Sequence, residues 1–95
     1  MPRATTQTHV SVPDHVITRL VAGSTVILDV DSGRSFTLDA VGSRVWALLV
    51  DTGSVASTLD RLQREFDADP AELERDVLHL VDELAAGALI DLTAA

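Results

Sequence analysis

A chain of 95 residues has room for one hydrophobic core, and an apolar content of 46% is enough to build it. With no cysteine, disulfides, thiolate metal sites and cysteine nucleophiles are excluded. Fifteen acidic residues against seven arginines, and no lysine, give a formal charge of −8, which repels phosphate backbones and anionic membrane surfaces.

Neither nucleic acid nor membrane is therefore an expected partner. No apolar run reaches the roughly 18–20 residues of a membrane helix. The stretch Met1–His9 lacks the apolar segment of a secretory signal, so a cytoplasmic location is expected. The lysine-free, Ala/Asp/Arg-rich usage fits a GC-rich bacterial source.

In chain order, residues 1–8 read as a flexible tail and 9–92 as the domain. A short strand is expected at His9–Val12, ended by Pro13-Asp14. Val16–Ala22 and Thr25–Val30 are β-branched runs separated by Gly23-Ser24. Asp31-Ser32-Gly33 is a turn with glycine where φ is positive, and Arg34–Leu38 pairs back as a hairpin strand.

The period then changes to helical. Asp39 caps a helix carrying Val41, Val45, Leu48 and Leu49, and Gly53 ends it. Ser54 caps a second helix with Val55, Leu59, Leu62 and Phe66 on one stripe. Asp69-Pro70-Ala71-Glu72 opens a third like a capping box, with Leu73, Val77, Leu80, Val81 and Leu84 as its buried stripe and Gly87 as its stop. Strands followed by helices make this an α+β fold, a winged-helix-like layout. It comprises an N-terminal three-stranded antiparallel sheet followed by a three-helix bundle.

Catalytic chemistry finds little support. His9, His15 and His79 lack ligand spacing, so no metal site is expected. Asp29-x-Asp31-x-Gly33 resembles the opening of a calcium loop but lacks its later ligands, and reads as turn chemistry. There is no nucleophile elbow and no glycine-rich phosphate loop. In a winged helix the third helix would read DNA, yet here it carries Glu72, Glu74, Asp76, Asp82 and Glu83 against Arg75 alone. An extended peptide adding to an open edge at Arg34–Leu38, against that helix, is the better use of the layout. Its candidate contacts are Arg34, Ser35, Phe36, Thr37, Leu38, Asp69, Leu73, Asp76, Val77 and Leu80, with Leu78 off the stripe as a second exposed contact. Which parity of the strand faces outward is open at this level. An open edge can also pair with a second copy of the chain.

The segment from Leu28 to Leu49 resembles the PqqD-like family: an apolar strand, an acidic turn with glycine, an aromatic strand ending in Leu, a polar cap, then a helix with Gly42, Trp46 and Leu48-Leu49. Leu59-x-x-Leu62-x-x-x-Phe66, Asp76-Val77 and Leu84-x-x-Gly87-x-Leu89-Ile90 extend the likeness over roughly residues 10–92. Asp39 stands where the family often has Asn, and either caps a helix. The resemblance implies a stand-alone, non-catalytic recognition element without cofactor. It would bind the leader of a ribosomally made precursor peptide as an added strand on Arg34–Leu38 and against 71–86, and deliver it to a leader peptidase or other modifying enzyme in lasso-peptide biosynthesis. A peptide chaperone for a radical-SAM enzyme and an acidic winged-helix regulator acting through protein contacts are the alternatives.

Overall fold

A computed structural model of the chain describes residues 4–93. The order is β1 (His9–Ser11), β2 (Val16–Val21), β3 (Ser24–Asp29), β4 (Ser35–Leu38), α1 (Ala40–Thr52), α2 (Val55–Glu65), α3 (Pro70–Ala86) and β5 (Asp91–Thr93). Strands β2, β3 and β4 form an antiparallel sheet in that order, and the three helices follow, as the sequence pattern implies. β1 stays out of this sheet and pairs antiparallel with β5, so the two ends of the domain close on each other.

Each helix starts where its cap predicts. The Asp39 carboxylate accepts from Gly42 N at 2.8 Å, the Ser54 hydroxyl from Ser57 N at 3.2 Å and the Asp69 carboxylate from Ala71 N at 2.8 Å. Gly53 ends α1 in the left-handed region (φ 66°) and donates to Leu49 O. At the end of α3 the left-handed residue is Ala88 (φ 59°), one beyond Gly87. Ala88 N donates to Ala85 O and Leu89 N to Leu84 O, a Schellman arrangement whose apolar partners Leu84 and Leu89 are both buried.

The core joins Ile27 from the sheet, Leu48 and Leu49 from α1, Val55 and Leu62 from α2, and Val77, Val81 and Leu84 from α3. Emptying one of the leucine positions by Leu→Ala costs about 2–5 kcal/mol. Several side chains depart from the helical stripes. Val41 sits exposed in the first turn of α1, whereas Trp46 is buried. Phe66 forms the C-cap of α2 and is 38% exposed, because the helix ends just as the stripe would carry it inward. On α3 only Val77, Val81 and Leu84 are fully buried; Leu73, Leu78 and Leu80 are half-buried.

The N-terminal segment, read from sequence as tail, is packed over its described part. Ala4 and Thr8 are buried, and Ala4 N donates to the Asp82 carboxylate on α3 at 2.7 Å. Val55 N then donates to Thr8 O and Val10 N to Gly53 O, which ties the segment to the α1–α2 junction. These long-range backbone bonds leave no periodic trace in so short a polar stretch. Residues 1–3 of that expected tail lie outside the described residues.

Ala22 (φ 51°) and Gly23 (φ 86°) form the two-residue turn between β2 and β3. Positive φ at both central positions matches a type I′ turn, where Asn is favoured over Ala. Relief of the left-handed cost at Ala22→Asn should stabilise the fold by about 0.5–1 kcal/mol. In a thermal melt this is a rise of about 2–6 °C.

Candidate peptide-binding edge

The hydrogen-bond phase of the sheet decides what each edge offers. Val21 and Ser24 flank a two-residue turn and are a bonded pair, so Arg19–Val26 and Ile17–Leu28 are bonded too. Val30 N to His15 O at 2.9 Å continues this phase. Across β3 and β4, Asp29 N donates to Arg34 O at 2.9 Å, which makes Ile27–Phe36 and Thr25–Leu38 the bonded pairs. The two phases interlock: β3 spends Ser24, Val26 and Leu28 on β2, and Thr25, Ile27 and Asp29 on β4. The parity open at the level of sequence is thereby resolved. Ser35 and Thr37 aim their N–H and C=O groups away from the sheet, at the free edge of β4.

Phe36 and Leu38 face inward, opposite Ile27 and Thr25. Leu38 is buried and closes on the core, so its side chain is not a surface for a ligand. Phe36 is half-buried and packs against the same core cluster, as do Leu73 and Leu80 of α3. Val77 is 2% exposed and likewise belongs to the core. The expected contact set therefore divides. Leu38 and Val77 belong to the core, Phe36, Leu73 and Leu80 retain accessible apolar surface, and Arg34, Ser35, Thr37, Asp69 and Asp76 are exposed. Asp69, Leu73, Asp76 and Leu80 follow one stripe of α3, at spacings of four, three and four. Arg75 Nε lies 3.9 Å from the Asp76 carboxylate, a weak exposed pair that leaves Asp76 open to a cationic partner.

The turn that presents β4 is held by Asp29. Its carboxylate accepts from Asp31 N at 3.0 Å and Ser32 N at 3.3 Å, and Gly33, with φ 77°, donates to Asp29 O at 2.8 Å. The carboxylate that sequence compares with a calcium ligand is thus engaged in turn geometry. Burial opposes ionisation of Asp29, but the Ser32 hydroxyl, the two N–H groups and nearby His15 together outweigh it and lower its pKa.

A concavity, missed at the level of sequence, lies between β2 and α1. It has a volume of about 390 Å³, and Leu20, Thr25, Ala40, Trp46 and Ala47 are among its walls. It exists because α1 packs over β3 and β4 while Leu20, on β2, projects beyond that cover, 74% exposed. The available signal was the apolar end of β2, Leu20-Val21, at a sheet edge.

Comparison with known proteins settles the family. The family model described as Coenzyme PQQ synthesis protein D matches residues 24–90. The chain belongs to the PqqD family. Among solved structures it is similar to that of "TbiB1 in Complex with the TbiA(beta) Leader Peptide", with 31% identity and a TM-score of 0.80 over 88% of this chain and 98% of that one. It is similar in fold to "Lasso peptide synthetase B1 complexed with the leader peptide", with 22% identity and a TM-score of 0.79 over 87% and 98%. No curated protein sequence matches it. Among the described residues of this PqqD family member, no group of three or more His, Asp or Glu could hold a metal ion, and no helix is long and apolar enough to cross a membrane.

Two outcomes test the geometry. Proline at Ser35 or Thr37 removes only an outward N–H and should cost about 1 kcal/mol or less, whereas Phe36→Pro breaks a ladder bond and should cost about 3 kcal/mol or more in denaturant unfolding. A lowered folded-state pKa at Asp29 means its stabilisation is complete above the ordinary carboxylate value and is lost as pH falls through the lowered one. Melts between about pH 6 and pH 2 should therefore show a smaller acid-induced drop for Asp29→Asn than for the unaltered protein.

Proposed function

We propose that this protein is a non-catalytic recognition element that binds the leader segment of a ribosomally made precursor peptide in lasso-peptide biosynthesis. The open edge of β4 carries the reading: Ser35 and Thr37 offer backbone donors and acceptors to an added strand. Phe36, Leu73 and Leu80 offer apolar surface for alternate side chains, and Asp69 and Asp76 an acidic flank for a basic one. The 31% identical protein of known structure, which is bound to a leader peptide, supports the same reading. Backbone pairing tolerates variation in the ligand, while the apolar surface sets selectivity.

The bound leader is delivered to a partner leader peptidase or other modifying enzyme, and the protein acts in the cytoplasm, where precursor peptides are made. The description of the matching family model favours a second reading, a peptide chaperone in a cofactor pathway beside a radical-SAM enzyme. Titration with leaders of the two precursor classes separates them.

Fluorescence anisotropy with a labelled lasso-type leader is the direct test. Thr37→Pro should weaken binding at least about tenfold while the fold is retained, since one edge hydrogen bond and its clearance are lost. Asp76→Lys should slow association and flatten its dependence on salt. If Ser35→Pro and Thr37→Pro both remain folded and bind the leader normally, strand addition at β4 is wrong.

A further inference from the structure

Arg34 stands immediately before β4. Its carbonyl accepts from Asp29 N at 2.9 Å, so it continues the β3–β4 ladder by one pair. It therefore shares the row of Phe36 and Leu38 rather than that of Ser35 and Thr37. Arg34 is exposed. Among the described residues, Arg44, Arg61, Arg64 and Arg75 each pair with a carboxylate, and Arg34 does not. The carboxylate across the ladder, that of Asp29, accepts from Asp31 N and Ser32 N in the turn. A cation thus stands at one end of the open β4 edge, in a chain whose net charge is −8.

We propose that Arg34 is a specificity-determining residue, which selects a leader with an acidic side chain two residues from the apolar one that packs beside Phe36. This rests on the leader-binding reading and adds to it a charge requirement at a fixed position. The spacing follows from the phase of the hydrogen bonds. Ser35 and Thr37 point their backbone groups outward, so the leader residues opposite them form hydrogen-bonded pairs. The leader residues opposite Arg34 and Phe36 are then non-hydrogen-bonded pairs, in which the Cα atoms come to about 4.5 Å and the side chains are closest. Those two leader residues are two apart and lie on one face of the added strand. The one opposite Phe36 meets half-buried apolar surface. The one opposite Arg34 meets a guanidinium, across which unlike charges attract and like charges repel.

The rest of the site narrows the choice. Asp69 and Asp76 on α3, and the net charge as a whole, favour basic leader side chains elsewhere. An acidic leader residue is therefore best accommodated beside Arg34, and a lysine at that one position is repelled by it. Every pairing in the sheet is antiparallel. A leader that continues this pattern runs from Leu38 toward Arg34, which puts its acidic residue on the C-terminal side of the apolar anchor.

Anisotropy titrations of a labelled lasso-type leader test this. An alanine scan of the leader locates the apolar anchor, and Glu, Gln and Lys are then placed in turn one, two and three residues to its C-terminal side. At the second position Glu should bind at least about threefold tighter than Lys, a preference that shrinks as salt is raised. Arg34→Gln should abolish the preference and Arg34→Glu reverse it, both with an unchanged circular dichroism spectrum. At the first and third positions the side chain falls on the row of Ser35 and Thr37, and its charge preference should not respond to Arg34. A preference for Glu at the second position that persists in Arg34→Gln overturns the proposal, as does no preference there or an Arg34-dependent one at the first or third. A leader that is weakened by Thr37→Pro yet indifferent to Arg34 sinks this inference alone. A leader that binds folded Ser35→Pro and Thr37→Pro as well as it binds the unaltered protein removes the β4 edge reading and this inference with it.

Discussion

Strand β3 is paired on both sides, and its alternating backbone bonds govern the sheet around it. Because even-numbered residues from Ser24 to Leu28 bond toward β2 and odd-numbered ones from Thr25 to Asp29 toward β4, every other strand residue has a fixed direction. The inward side chains of β3 are Thr25, Ile27 and Asp29, all buried under the helices or in the turn. The same alternation leaves Ser35 and Thr37 outward on one edge and Thr18 and Leu20 outward on the other. The two edges are chemically different because α1 packs over the β4 side of the sheet and leaves Leu20 uncovered on the other.

Helices α1, α2 and α3 hold this arrangement in place. Arg44 reaches from α1 to Glu65 on α2, with Nη2 at 2.6 Å from the carboxylate, and their mutual hydrogen bonding raises the pKa of Arg44 and lowers that of Glu65. Both side chains are more than a third exposed, so water and salt screen the pair and it adds little to stability. The buried leucines and valines carry the larger share of the stability. On α3 the residues divide between core and border. Its buried stripe is only as wide as the core requires, and Leu73 and Leu80, at its border, keep surface beside Asp69 and Asp76.

The acidic balance bears on the fold's use more than on its form. A winged-helix-like layout with a basic third helix suits a nucleic-acid backbone. The same layout with Glu72, Glu74, Asp76, Asp82 and Glu83 on that helix repels one and favours a peptide that carries a cation.

The local signals were legible in the chain. Asp39, Ser54 and Asp69 are cap residues, Gly33 and Gly53 stand where φ turns positive, and the β-branched runs are strands, because each depends on a few neighbouring residues. The candidate site was legible as a strand and a helix face, since period alone marks both. Tertiary structure alone decided the rest. It paired β1 with β5 across the length of the domain, packed Ala4 against Asp82 and exposed Val41. It also sorted Leu38 and Val77 into the core and Leu73 and Leu80 to its border, and gave each sheet edge its outward parity. Those outcomes depend on which surface covers which, and on the phase of hydrogen bonds between strands, neither of which is a property of any one segment.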